Sequence, residues 1–363
     1  MNILHIEDDI MHRQRVKDGL SDEFNPFIVS CDFDDYSQYL ESFNTDIIIL
    51  DLSRDQTGDT EPGEISLEKI WGRAFCPIII FSAFADENYT NKYSDMYFVR
   101  RVLKGTGEIE RLVSTVKELS GFIKCKNEIS KLLNSHISET YKTVFPSMLN
   151  NIGVSDQIIS DVFNRLIRRR IAAAIDETTD SSPIESWEMY LFPPISNQIF
   201  SADILYKKDE DKDKPESYKI ILSPSCDLYK DESKKRKPLE KILVAFCVNI
   251  DLYLKSKNLP KGTTEQKIKD YLPKFLSNTN AEKYIPLPEL KGLLPHMACD
   301  FKQLEMIEYE KIGEDKEYNR IASIDSPFRE AIIWAYMQVN CRPGLPDRNF
   351  DLWTQQIWNE ISK

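Results

Sequence analysis

The chain has 363 residues, 41% hydrophobic and 29% charged, an ordinary globular composition with room for more than one core. Its cysteines, Cys31, Cys76, Cys125, Cys226, Cys247, Cys299 and Cys341, are odd in number, scattered and without a CxxC pair. That argues against a disulfide framework and against a thiolate zinc site. The net charge of −12 is unevenly spread: residues 1–122 hold 23 acids and 12 bases, leaving 36 and 35 for the rest, so an acidic first third suited to metal or protein binding precedes a near-neutral remainder.

Residues 1–6 form an apolar run that meets three acids at once, which no signal peptide tolerates, and no run approaches the length of a membrane span. Cytoplasmic residence, with no membrane partner, is the expectation. Residues 1–6, 27–31, 47–50, 78–81 and 98–103 read as strands, several of them continuous and β-branched as in a parallel sheet covered on both faces. Amphipathic stretches at 11–20, 36–43 and 108–122 read as helices between and after them. This alternation predicts a doubly wound α/β sheet, whose ligands sit at the carboxyl ends of the strands.

Those ends carry chemistry. Glu7, Asp8 and Asp9 follow the first strand, Asp51 the third, Ser82 the fourth and Lys104 the fifth. Clustered carboxylates resist ionisation together unless a cation is present, and an open site of oxygen ligands suits Mg²⁺. A carboxylate beside Mg²⁺ can attack phosphorus, Ser82 can donate to a phosphoryl oxygen and Lys104 can neutralise one.

With ILHIEDD at 3–9, IIILDL at 47–52, PIIIFSA at 77–83 and Lys104, spaced 43, 31 and 22 residues from Asp8 to Asp51 to Ser82 to Lys104, the first third resembles the response-regulator receiver family. The resemblance implies a five-stranded flavodoxin-like fold, Asp51 as phosphoacceptor, and Glu7 and Asp8 as an acidic pair. Asp8, Asp51 and the Ser53 carbonyl would be Mg²⁺ ligands, with Ser82 and Lys104 on the phosphoryl group. It also implies a histidine kinase, or a related GHKL-type ATPase, as partner. Three positions depart from the family: Gly105 stands where a cis-proline usually follows the lysine, Arg101 stands at the aromatic switch position, and a long polar loop at 53–66 replaces the short one after the phosphoacceptor. Without its aromatic, the output switch is expected to run through a surface charge contact of Arg101, together with Arg100.

From residue 122 onward Ile129, Leu132, Leu133, Ile137, Tyr141, Val144, Phe145 and Met148 keep helical spacing until Pro146, which should kink or end the helix. A second helix is expected from the N-cap Ser155, carrying Arg165, Arg168, Arg169 and Arg170. The region reads as a helical connector at 123–180, either a homodimer contact or a small bundle packing on itself. Nucleic-acid binding through the arginines is open but not favoured.

Beyond a linker-like DETTDSSP the pattern predicts an α+β domain at 181–363 with a β-barrel-like front half. Strands are expected at 190–192, 202–206, 218–222, 243–248, 301–309 and 321–324, and helices after Ser326–Pro327 and around Trp353. ADIL at 202–205 and ILSPSCDL at 221–228 resemble the SH3-like barrels of the toxin–antitoxin type, with Ala202 where that family has glycine. A nucleophile–base pair of Cys226 and His296, beside Asp227, is the one catalytic option there, against a cysteine that merely packs at a strand end. The whole reads as a response-regulator-like protein controlling a C-terminal output module in a bacterial stress or phage-defence system. The alternatives are a receiver-gated hydrolase or nuclease and a pseudo-receiver scaffold.

Overall fold

In a computed structural model the chain divides into two compact units, Met1–Thr179 and Asp180–Lys363. The structure describes all residues except 25, 43, 53–69, 71–75, 84–95, 150–155, 177–182, 231–238, 258–262, 277–282, 342–348 and 363. The expected loop at 53–66 and the N-cap Ser155 therefore lie outside the described residues.

The first unit begins β1 (Asn2–Ile6), α1 (Ile10–Phe24), β2 (Phe27–Cys31), α2 (Tyr36–Ser42), β3 (Ile47–Leu50), β4 (Ile78–Ser82), β5 (Val99–Leu103) and α3 (Glu108–Glu139). The strands pair in parallel in the order β2-β1-β3-β4-β5. That is the flavodoxin-like doubly wound order. Successive strand residues face opposite ways, which splits the core in two. Leu4, Ile6, Ile48, Leu50, Ile78 and Ile80 pack on one face with Tyr36 of α2. Ile3, Ile47, Ile49, Ile79 and Phe81 pack on the other with Val16 and Leu20 of α1 and Leu112, Val116 and Leu119 of α3. Burial of each such side chain is worth about 1.5–3 kcal/mol. Gly19 lets α1 approach α3: a Cβ there would stand 2.2 Å from the Ile109 side chain.

Helix α3 does not end at Phe122. Ile123 is buried in the same core, Lys126 Nζ donates to the Thr45 carbonyl (3.0 Å), and Asn127 Nδ2 donates to Asp46 Oδ1 (2.8 Å). Asp46 Oδ2 accepts the Asn2 N–H as well (2.7 Å). The sequence boundary at 122 thus falls inside a helix whose next turn still belongs to the α/β core. At Pro146 the helix does not break. A π-helical turn, Thr140–Val144, runs without interruption into α4 (Phe145–Leu149), so the proline sits just past a π-bulge inside a continuous helix, an irregularity of the ladder that can take up its missing N–H. Helix α5 (Asp156–Asp176) packs back on α3. Phe163 meets Tyr141 and Phe145, with ring centroids 4.2 and 4.9 Å apart, and Arg170 pairs with Glu139 at 2.7 Å.

The second unit is built on an antiparallel sheet of seven strands: β6 (Tyr190–Leu191), β7 (Asp203–Lys207), β8 (Tyr218–Ile221), β9 (Lys241–Asn249), β10 (Tyr284–Leu287), β11 (Met297–Glu308) and β12 (Tyr318–Ile324). Their order is β10-β11-β9-β8-β7-β12-β6. The sheet curls enough that the Tyr190 hydroxyl of one edge strand donates to the Pro288 carbonyl, one residue past the other edge strand (2.8 Å). Helices α6 (Ser225–Leu228), α7 (Ile250–Ser256), α8 (Glu265–Leu276), α9 (Phe328–Asn340) and α10 (Phe350–Ile361) complete it. Ile332 and Ala335 of α9 close one face of the sheet over Ile204, Ile220, Cys247 and Cys299. Strand β10, helix α7 and helix α8 were not expected from sequence. Pro286 hides β10, and a proline in a strand marks an edge, which is where β10 lies. Pro273 likewise interrupts the pattern of α8.

Ala202 has φ +62°, the left-handed region that favours glycine, and is fully buried. Its N–H donates to the Ile221 carbonyl at 2.7 Å, so the ladder between β7 and β8 holds it there. Ala202→Val should destabilise the protein by about 2 kcal/mol or more, since a β-branched residue resists this region and the site is packed, whereas Ala202→Gly should stay within about 1 kcal/mol. Urea melts measure both, and coincident native and Ala202→Val curves would contradict this account.

A second prediction concerns α3. A chain cut after Phe122 forfeits the burial of Ile123 and both partners of the Thr45–Asp46 corner, and should be about 2–4 kcal/mol less stable than one cut after Glu139. Equal thermal melts for the two would place the end of the core at 122.

Candidate functional site

The sheet ladder runs one residue past its strands and thereby fixes the site. The Glu7 N–H donates to the Cys31 carbonyl (3.1 Å), the Asp51 N–H to the Ile6 carbonyl (3.0 Å) and the Lys104 N–H to the Ser82 carbonyl (3.0 Å). Four strand ends are therefore held in register with their functional side chains on one rim. Lys104 Nζ lies 2.6 Å from Glu7 Oε2 and 2.7 Å from Asp51 Oδ2, and all three side chains are over 90% buried. The other Asp51 oxygen accepts the Leu52 N–H (2.7 Å). Glu7, Asp8 and Asp51 each offer an oxygen within 4.8 Å of the others, and Asp8 is half-buried. Ser82 is buried at the end of β4, and its register partner Leu103 immediately precedes Lys104.

Electrostatics follow from this packing. Burial pushes the Glu7 carboxyl up to about 7, with the Lys104 ammonium opposing and Asp51 adding to the rise. Burial alone would lower the Lys104 ammonium, but the Asp51 and Glu7 charges more than reverse it and hold it above its ordinary value. His5, fully buried on β1, is pushed down to about 3 by burial first and by Lys104, Arg13 and His12 after it, so it is neutral. Its Nε2 stands 3.9 Å from Glu7 Oε2. Three carboxylates facing one ammonium leave an excess of negative charge in a poorly solvated place. The donor set is oxygen-only and partly open through Asp8, which fits a hard divalent cation such as Mg²⁺.

Asp9 serves the fold instead. Its Oδ1 accepts the N–H groups of Met11 (2.7 Å) and His12 (3.3 Å), capping α1, and these bonds hold its carboxyl below the usual range. Ser53 lies outside the described residues. Gly105 has φ +138° and Gly107 φ +69°, so the turn after Lys104 is one that glycine makes without strain. Glu108 fixes that turn: its Oε2 accepts the Gly105 N–H (2.5 Å) and its Oε1 pairs with Arg15 (2.7 Å). Sequence reasoning passed over both His5 and Glu108. A lone histidine inside an apolar strand, and an acid three residues after Gly105, were the available signals.

Arg101 is exposed on the edge strand β5, opposite Ile80 in register. Arg100 is occupied locally: its guanidinium lies 4.3 Å from the Tyr97 ring centroid and donates to the Tyr97 carbonyl. In the second unit, Cys226 is exposed with its thiol 3.5 Å from Asp227 Oδ1. His296 is exposed too, and both of its ring nitrogens face Glu289: the Glu289 N–H donates to Nδ1 (3.1 Å) and the carboxylate lies 3.7 Å from Nε2. This arrangement turns the imidazole toward Glu289 and gives no support to a Cys226–His296 pair. A cavity of about 590 Å³ in this unit is lined by Asn197, Ile199, Tyr309, Asn319 and Arg320 among others. Its arginine is spent on structure, bonding the carbonyls of Ser196 and Gln198 and the buried Asp203 carboxylate.

No protein-family model matches the chain, and no curated protein does. Solved structures similar to it include the chemotaxis protein CheY4 of Vibrio cholerae (18% identity, 32% of this chain and 96% of that one, TM-score 0.27). A two-component response regulator from Clostridium difficile is also similar (21%, 33% and 94%, TM-score 0.29). So is the response regulatory domain of protein mrkE from Klebsiella pneumoniae (17%, 34% and 98%, TM-score 0.29). The likeness is confined to about a third of the chain and is one of fold. By its strand order the N-terminal α/β domain has the flavodoxin-like doubly wound fold.

Proposed function

We propose that the N-terminal domain accepts a phosphoryl group on Asp51 and that the protein is a response-regulator-like signalling protein whose receiver controls the C-terminal unit. The observation that carries this reading is the contact of one buried ammonium, Lys104, with both Glu7 and Asp51 beside the half-open Asp8. Glu7, Asp8 and Asp51, with the Ser53 carbonyl, would hold Mg²⁺, which when bound supplies positive charge against the phosphoryl oxygens. An Asp51 carboxylate oxygen forms the bond to phosphorus as the bond from phosphorus to the donor's nitrogen breaks. Lys104 then turns from the carboxylate to a phosphoryl oxygen, and the Ser82 hydroxyl donates to another. Phosphoryl transfer needs little beyond such positioning and charge. The donor would be a histidine kinase or a related GHKL-type ATPase. Residence in the cytoplasm, a bacterial stress or phage-defence setting, and a homodimer contact through 123–180 belong to the same proposal.

A second reading, a pseudo-receiver that binds a partner without phosphorylation, is favoured by Arg101. An exposed cation on an edge strand cannot move into an apolar slot as an aromatic switch would, because an unpaired buried charge is very costly.

Binding of Mg²⁺ with beryllofluoride separates the two. Calorimetry on the native chain should show saturable binding that needs both components and is lost in Asp51→Asn. Absence of binding in the native chain, or equal binding in Asp51→Asn, favours the pseudo-receiver.

Arg101→Ala should leave that binding intact and weaken association with a partner or the output of the C-terminal unit. A surface ion pair alone is worth about 0–1 kcal/mol, so a loss of tenfold or more would place Arg101 in an interface. An unchanged association constant and unchanged output would move the switch away from β5.

A further inference from the structure

Strand β1 buries one polar ring in an otherwise apolar run. His5 is fully buried, as are its neighbours Leu4 and Ile6. Its register partner on β3 is Ile49, which packs with Ile3 and Ile47 on the face covered by α1 and α3. Burying an imidazole without a partner is costly, and a leucine would avoid the cost. Yet among the described residues neither ring nitrogen of His5 has a hydrogen-bond partner. Its Nε2 faces Glu7 Oε2 across 3.9 Å, about 1 Å too far for a hydrogen bond.

That oxygen has a partner which the phosphoryl reaction takes away. In the resting site Glu7 Oε2 accepts from Lys104 Nζ at 2.6 Å. When Lys104 turns to a phosphoryl oxygen, a carboxylate only 1% exposed is left with one oxygen uncovered. Two imidazole nitrogens stand at the same distance from it, His5 Nε2 and His12 Nδ1, each at 3.9 Å. The His12 side chain is 35% exposed and can be hydrated, whereas His5 has no solvent to turn to. A neutral imidazole carries one N–H, and from Nε2 it donates to Glu7 without adding charge to the site. The burial that pushes His5 down to about 3 keeps it neutral.

We propose that His5 is a positioning residue that takes over Glu7 Oε2 when Lys104 moves to the phosphoryl group, its Nε2–H closing the 3.9 Å gap to a hydrogen bond. The inference rests on the phosphoryl-acceptor reading of Asp51. Its consequence is that Glu7 stays oriented and satisfied while the lysine is engaged elsewhere. His5 acts on the reaction only through Glu7.

Two measurements test it, one with the phosphoryl mimic and one without. Calorimetry compares the binding of Mg²⁺ alone, and of Mg²⁺ with beryllofluoride, to the native chain and to His5→Leu. The affinity for Mg²⁺ alone should be unchanged, because Lys104 still covers Glu7, while beryllofluoride binding should weaken about tenfold. His5→Gln, whose amide nitrogen reaches the place of Nε2, should recover most of that loss. Unchanged beryllofluoride binding in His5→Leu, or an equal loss for Mg²⁺ alone, would overturn the proposal.

The second measurement removes the lysine instead. Urea melts of the native chain, His5→Leu, Lys104→Met and the double variant form a cycle. With Lys104 present, His5→Leu should leave the folding equilibrium unchanged or raise it. With Lys104 gone, the same substitution should lower it about tenfold, because His5 is then the partner of Glu7. Lys104→Ala serves as the second background should Lys104→Met not fold. Additive effects would overturn the takeover. The cycle needs no phosphoryl group, so a native chain that binds no beryllofluoride counts against the Asp51 reading while the cycle still decides whether His5 replaces Lys104.

Discussion

The N-terminal domain turns on one ammonium group held between two buried acids. Lys104 reaches Glu7 and Asp51 at once, at 2.6 and 2.7 Å, from the end of the edge strand β5. Without it the two carboxylates would face each other across a water-poor rim, and burial already pushes Glu7 up to about 7 with the lysine present. Everything around the contact serves to place it. The ladder bonds of Glu7, Asp51 and Lys104 extend the sheet by one residue at three strands, and the Gly105 turn is tied to Glu108. The isoleucine-rich strands beneath leave no freedom of register, since a slip of one residue would exchange the two core faces.

That arrangement leaves an excess of negative charge at the rim. A buried ion pair is weak evidence for stability, because desolvation offsets most of its attraction. A third carboxylate, Asp8, half-open beside the pair, adds repulsion and nothing to packing. Perturbed groups gathered at the carboxyl rim of a parallel sheet are where ligands of such folds bind. The neutral His5 beneath Glu7 adds a polar but uncharged floor.

Much of this was legible in the chain. Continuous apolar runs ending in Glu7, Asp51 and Ser82 announced both the sheet and its rim, because parallel strands buried on both faces leave a strong signal, and the mixed run before Lys104 reads as the edge strand it is. Asp9 was not separable from Glu7 and Asp8 by sequence, since capping depends on where the helix starts within a residue or two. The extent of α3 past Phe122 was visible in its periodicity, but its attachment was not, because Lys126 and Asn127 bind Thr45 and Asp46 some eighty residues away. In the second unit, prolines concealed β10 and α8. The His296 that sequence offered as a base for Cys226 has both ring nitrogens against Glu289, a local contact that a sequence spacing of seven residues did not announce. Ala202 shows the converse: a residue whose left-handed backbone would have predicted glycine is held by its hydrogen bond to Ile221.

The most direct test of the central claim is the mass of the protein after exposure to a small-molecule phosphoryl donor, acetyl phosphate, in the presence of Mg²⁺. The account predicts that one phosphoryl group is added to the native chain, that it maps to the peptide containing Asp51, that it is lost on alkaline treatment as an acyl phosphate is, and that Asp51→Asn gains none. A native chain that stays unmodified, or a modification that persists in Asp51→Asn, would contradict it.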